Sequence, residues 1–153
     1  MLRPEDVIGP YRLIRTLGHG AYGEVWLADR RTSLLTTQVA LKLPLAENVD
    51  LETIRHEAAL WLQASGHPNV VPVLEAERYG SHIVIASEHI AGGTLAAWLE
   101  KHGGQAPTVE AAVEMAYGIL AGLGACPRIR LTYRPGTVPC CSNYWSLGWV
   151  ARY

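Results

Sequence analysis

Carboxylates run out before the chain does. All 14 acidic residues lie at or before Glu114, no Asp follows Asp50, and no His follows His102. The stretch after Glu114 holds four arginines and no acid, so no carboxylate there can bind a hard cation or serve as an acid or base. Cysteine is scarce too. There are three, none before Cys126, which argues against a disulfide scaffold, and Cys126 with Cys140-Cys141 lacks zinc spacing. No apolar run approaches the roughly 18 residues of a membrane span. The opening residues, with Glu5 and Asp6, do not read as a signal peptide. A net charge of −1 gives no electrostatic case for nucleic acid or an anionic membrane. These absences point to a cytoplasmic protein with no nucleic-acid partner and no membrane segment. At 153 residues it has the size of one domain, or is a fragment of a larger one.

What the chain does have is a glycine-rich stretch, Leu17-Gly18-His19-Gly20-Ala21-Tyr22-Gly23-Glu24-Val25. Three glycines at this spacing let backbone N–H groups approach an anion with no Cβ in the way. The pattern alone serves several folds. Its flanks narrow the choice. Tyr11, Leu13 and Leu17 share one face at period 2 before it, and Glu24 to Asp29 reads as strand after it. A dinucleotide fingerprint would open a helix instead, and no Gly-Lys-Ser or Gly-Lys-Thr ending follows. The expected element is a hairpin from Tyr11 to about Asp29, preceded by a polar lead-in over residues 1–10.

Gln38 to Leu43 predicts a third strand, with Val39, Leu41 and Leu43 on one face and Ala40 and Lys42 on the other. Pro44 and Asn48 end it, and Asp50 can cap a helix whose stripe is Leu51, Ile54, Ala58 and Trp61. Glu57 falls on that stripe, where a carboxylate needs a cation.

Glycine hairpin and Val39-Ala40-Leu41-Lys42 together resemble the protein kinase superfamily, in particular the bacterial Hanks-type serine/threonine kinases. The resemblance covers about residues 8–123. It implies ATP over Leu17 to Gly23 (including His19, Gly20, Ala21 and Tyr22), Val25, Ala40 and Lys42, with Glu57 pairing Lys42 and orienting it toward the phosphates. Glu57 to His67 is one residue longer than the family's commonest spacing, which leaves room for a local bulge. Glu52 is the alternative partner, disfavoured because it is off the stripe. Gly66-His67-Pro68-Asn69-Val70-Val71 is similar to the family's entry to the next strand, and His67 there reads as a turn residue. Val71 to Glu77 and His82 to Ala86 are two further strands. Ser87-Glu88-His89-Ile90 resembles the hinge, which implies adenine contacts to the Glu88 carbonyl and the Ile90 amide, with Ser87 as a small gatekeeper. Thr94 caps a helix to about Lys101. Thr108 caps another with an apolar stripe of Val109, Ala112, Val113, Ala116, Ile119, Leu120 and Leu123.

The expected fold is therefore α+β: a kinase-like N-lobe of five antiparallel strands with one packed helix, and two helices of a truncated helical lobe. The lobe and hinge occupy 11–90 and the start of the helical lobe 91–123. Beyond Leu123 the resemblance stops. The family continues with H-R-D-x-K-x-x-N and D-F-G, and this chain has Gly124-Ala125-Cys126-Pro127. Magnesium is expected of the family, but its protein ligands are missing, so no metal residue is assigned. Three readings of 124–153 stand: an out-of-frame tail, a diverged pseudokinase ending, and a basic aromatic binding segment. The abrupt loss of pattern together with the composition break favours the first. The function implied is ATP-dependent phosphorylation of protein Ser/Thr by the intact family, catalytically incomplete here. The alternative is a pseudokinase or a non-catalytic nucleotide-binding or scaffolding module.

Overall fold

Alternating apolar residues dominate the first half of the chain, and in the computed structural model they build one antiparallel sheet. The structure describes residues 2–20, 23–44 and 51–125, apart from the side chains of Thr53 and Glu57. Its strands are β1 (Val7–Ile8), β2 (Tyr11–Gly20), β3 (Gly23–Arg31), β4 (Thr36–Pro44), β5 (Val73–Tyr79) and β6 (His82–Glu88), in the order β1-β2-β3-β4-β6-β5. The helices are α1 (Leu51–Ala64), α2 (Leu95–Lys101) and α3 (Val109–Ala125). The five strands expected from the sequence are present, and a two-residue sixth is added by the segment read as a polar lead-in. Ile8 of that segment is buried, and Leu2 packs against the same core.

Register fixes which residues share a face. Val25, Lys42 and Ile85 stand opposite one another across β3, β4 and β6, as do Leu27, Ala40 and Ser87. The intervening positions Trp26, Ala28, Val39, Leu41, Val84 and Ala86 point the other way and form the apolar core with Ile8, Tyr11, Leu13 and Leu43. A one-residue slip would exchange these two sets. Each fully buried aliphatic side chain in the core contributes roughly 1.5–3 kcal/mol. The sheet curls around this core, because Arg30 on β3 reaches Glu75 on β5 at 2.7 Å although β4 and β6 lie between them in the ladder.

Some boundaries differ from the sequence reading. The strand expected from Val71 starts at Val73, since Pro72 has no N–H to give a ladder. The β5–β6 turn is Gly80-Ser81, with Gly80 at φ +61°, a left-handed conformation that glycine adopts without a steric penalty.

The described residues fall into two compact units, 2–58 with 73–89 and 59–72 with 90–125. In the second, the buried Trp61 donates its indole N–H to the Val71 carbonyl at 2.8 Å. The hydroxyls of Thr94 and Thr108 accept the Ala97 and Ala111 amides, each at 3.1 Å, which satisfies N-terminal donors that a helix leaves unpaired. α3 runs on to Ala125, past the expected stop at Gly124. Its buried residues are Gly118 and Gly122, whereas Val109, Val113, Leu120 and Leu123 of the apolar stripe are exposed. The reason is close approach: a Cβ on Gly122 would stand 2.9 Å from the Asn69 carbonyl oxygen, so the glycine face is the one that meets the Asn69 turn.

Candidate functional site

The site is built on the face of the sheet that the apolar core does not use. Lys42 is 4% exposed, at the centre of that face between Val25 and Ile85. Its neighbours along the strand and across the ladder, Ala40, Leu27 and Ser87, are all buried. Two are small, which leaves the lysine stem flanked by little bulk. The sequence reading named Val25, Ala40, Lys42 and Ser87 together, and the register brings them onto one surface. It missed Leu27 and Ile85, whose membership follows from register alone, a long-range property that no local motif carries.

The glycine hairpin leads to this face. Gly18 pairs with Val25, His19 with Glu24 and Gly20 with Gly23. Two register steps, between Leu13 and Arg15 and between Thr16 and Gly18, insert extra residues in β2. Bulges of this kind bend a strand and raise its twist. They also break the period-2 continuity expected from Tyr11 through Leu17. Tyr11 and Leu13 are buried in the core, while Leu17 is exposed. Gly23 has φ +131°, and a Cβ there would run into the Leu43 carbonyl and stand 2.9 Å from the Pro44 Cα. The third glycine is thus required where β3 starts against β4. His19 is exposed. Ala21 and Tyr22, at the tip, lie outside the described residues.

At the far end of β6 the Ser87 hydroxyl is fully buried and donates to the Glu88 carbonyl at 3.4 Å, a long and weak hydrogen bond. Burial, then the charge of Arg15, lowers the His89 pKa from its ordinary value. Ile90 opens the second unit.

On α1, Ile54 and Trp61 are buried, as their stripe predicts, while Leu51 at the helix start is exposed. The Glu57 side chain lies outside the described residues, as do the Asp50 cap and the three cysteines. Glu52, the alternative partner for Lys42, is exposed and pairs with Arg55 at 2.9 Å. His67 is a turn residue: its Nδ1 accepts the Asn69 amide at 3.1 Å and its carbonyl accepts the Val70 amide. Among the described residues no three His, Cys, Asp or Glu gather as metal ligands.

The described residues of this face fit an anionic nucleotide. A buried ammonium suits a phosphate, and Ala40 and Ser87 on the same face are small.

The family model described as protein tyrosine and serine/threonine kinase matches residues 11–129. The chain is 31% identical over 98 residues to the serine/threonine-protein kinase ATG1a of Arabidopsis thaliana, a match covering 63% of this chain and 16% of that protein. It is 34% identical over 92 residues to calcium/calmodulin-dependent protein kinase type 1B of Rattus norvegicus, covering 60% and 26%. The crystal structure of the Mycobacterium tuberculosis PknI kinase domain superposes with a TM-score of 0.64 at 20% identity, covering 82% of this chain and 51% of that one. The chain thus spans about a quarter or less of these curated relatives and about half of a solved kinase domain.

Proposed function

The chain belongs to the protein tyrosine and serine/threonine kinase family, and from that premise we propose that its sheet holds ATP without transferring the phosphoryl group by the family's route. In this reading Gly18, Gly20 and Gly23 lie over the phosphates and Lys42 pairs with them. Leu17, Val25 and Ala40 line the adenine, Ser87 stands behind it, and the Glu88 carbonyl and Ile90 amide meet its edge. Glu57 orients Lys42. The observation that carries the reading is Lys42 itself, 4% exposed on the face opposite the apolar core. An ammonium is kept in such a place where an anion answers it.

ATP would supply the phosphoryl donor. The chain's own residues bind and orient it. Transfer in this family also uses a catalytic-loop Asp and metal-holding Asn and Asp side chains, and no carboxylate follows Glu114. That absence favours the second reading for this polypeptide, a non-catalytic nucleotide-binding or scaffolding module. A protein Ser/Thr substrate is a partner expected of the intact family. No helix among the described residues is long and apolar enough to cross a membrane, and a cytoplasmic location is part of the proposal.

Calorimetric titration of the 153-residue chain with ATP, alone and with Mg²⁺, tests this. Saturable binding is expected, weakened about tenfold or more by Lys42→Met, which removes a charge-assisted contact of about 1.5–3 kcal/mol. Radiolabel transfer to a generic protein substrate is expected at background. Binding indifferent to Lys42→Met would overturn the site, and transfer lost on Lys42→Met would overturn the non-catalytic reading.

A further inference from the structure

The sheet has two edges, β1 and β5, and no backbone ladder joins them among the described residues. They are nonetheless brought together by side chains. Gly9, just after β1, has φ +56°, and a Cβ there would stand 2.6 Å from two atoms of the Tyr79 ring on β5. The backbone therefore lies directly on the ring, and only glycine permits it. Tyr11 meets the same ring edge-on, with centroids 6.1 Å apart, a geometry aromatic pairs prefer. The Tyr79 hydroxyl donates to Glu75, and the other Glu75 oxygen accepts from Arg30 of β3 at 2.7 Å. The strap before β2 is tied down on its own side: the Glu5 amide donates to the Leu13 carbonyl at 2.8 Å and the Leu13 amide to the Asp6 carbonyl at 2.9 Å. Leu2 and Ile8 cover the core from this strap.

We propose that Gly9, Tyr11, Arg30, Glu75 and Tyr79 form a latch that closes the curled sheet sideways, and that releasing it lets the amino-terminal strap lift off the base of the β2–β3 hairpin while the central ladder stays intact. The physical basis is the kind of bond at each seam. β2, β3, β4 and β6 are held by backbone ladders, whose opening exposes many paired groups at once. Among the described residues the β1/β5 seam is held by one stacked glycine, one ring pair and one bridged carboxylate, so it is the place where this sheet separates at least cost. Local openings of this kind run below the global unfolding free energy. The hairpin that the latch anchors is the one bearing Gly18 to Gly23. A latch at its base adds a control point on the opposite face from Lys42, at the hairpin's other end.

Residue-resolved hydrogen exchange on the full chain tests it, comparing wild type with Tyr79→Ala. The amides of Glu5, Leu13 and Arg31, the last bonded to the Pro10 carbonyl at 2.9 Å, are expected to exchange about tenfold faster, while Val39 to Lys42 keep their rates. Unchanged rates at Glu5, Leu13 and Arg31 would overturn the latch. So would a uniform acceleration that includes β4, since that is global destabilisation. If Tyr79→Ala does not fold, Arg30→Gln removes only the bridge to Glu75. It is expected to give the same pattern at roughly threefold, and a β4-wide or absent response there overturns the proposal equally.

Discussion

The sheet and α3 were equally plain as patterns, and they behave in opposite ways. On β4, alternation assigned Val39, Leu41 and Leu43 to one face and Ala40 and Lys42 to the other, and the apolar set is buried in the core. On α3, a clean helical stripe gathers Val109, Val113, Leu120 and Leu123, and these residues are exposed, with Leu120 at 65%. Periodicity states which face has apolar surface to hide. Burial also needs a partner surface, and among the described residues the exposed part of the α3 stripe has none.

The sharpest way to break that comparison is to truncate one leucine on each side. Leu41→Ala empties a site that is 0% exposed and is expected to cost about 3 kcal/mol, through lost transfer energy and the cavity left behind. Leu120→Ala is expected to change stability by less than about 0.5 kcal/mol. Urea denaturation of both variants measures the pair. A Leu120 cost near that of Leu41 would mean that α3 buries its stripe in solution. Leu120→Lys adds a second reading: at unchanged stability it should reduce self-association in sedimentation, since contiguous exposed apolar surface promotes association.

Glycines sharpen the same contrast within α3. Gly122→Ala places a Cβ 2.9 Å from the Asn69 carbonyl oxygen, a backbone atom that must shift, at about 1–3 kcal/mol. The gain in helix propensity, up to about 1 kcal/mol, does not offset it. Gly124→Ala meets nothing within 4 Å and should be neutral or stabilising. Thermal melts that fall for Gly122→Ala and hold for Gly124→Ala would establish the glycine face as the packed one. The reverse order would place the contact elsewhere.

How much was legible follows from the range of each interaction. The hairpin, the Lys42 strand and both threonine caps were readable because their signals lie within a few residues. The kinase resemblance put Ser87 and Lys42 in one implied ATP site, and the register of β4 and β6 places them on one face. Leu27 and Ile85 could not be read, because cross-ladder neighbours depend on register. β1 was missed because two residues carry no period, and Ile8 is recognisable only by what it covers. Glu75 was also hidden. A lone carboxylate on a polar strand looks solvated, and only the curl of the sheet brings Arg30, Tyr11 and Tyr79 around it.

That carboxylate gives the third prediction. Burial alone would raise the Glu75 pKa, but the hydrogen bond from Tyr79 and the Arg30 charge outweigh it and hold the value below the ordinary one. A carboxylate whose folded pKa is depressed stabilises above its unfolded value, near 4.3, and loses that contribution as pH falls through the folded value. Glu75→Gln should therefore cost about 1 kcal/mol at pH 7, and its gap from wild type should close below about pH 4. On the alkaline side the hydrogen bond to Glu75, helped by burial, pushes Tyr79 up to about 12. Its contribution holds below the ordinary tyrosine value, near 10, and is lost as pH rises toward the folded value. Denaturation midpoints of both proteins from pH 3 to 8 read the acid limb. A gap that persists unchanged at pH 3 would remove the Glu75 charge from the latch.

The smallest expected effect asks whether the core side of the latch is polar or apolar. Tyr11 is fully buried, and its hydroxyl has no hydrogen-bond partner among the described residues. It lies near Glu75, and burial first, then that charge, pushes its pKa well above the ordinary value. A buried hydroxyl without a bond has lost its water and gained nothing in return. Tyr11→Phe keeps the ring that meets Tyr79 and deletes only that oxygen, so stability should stay within about 0.5 kcal/mol of wild type or rise slightly. Truncation to Tyr11→Ala, by contrast, removes the ring and should cost about 3–5 kcal/mol. If Tyr11→Phe instead loses more than about 1 kcal/mol, the hydroxyl is bonded in solution. Glu75 is the acceptor within reach, and a double-mutant cycle of Tyr11→Phe with Glu75→Gln would show it as non-additivity. A neutral Tyr11→Phe leaves the latch with an apolar inner half, ring on ring and ring on glycine, and a single polar bridge outside it.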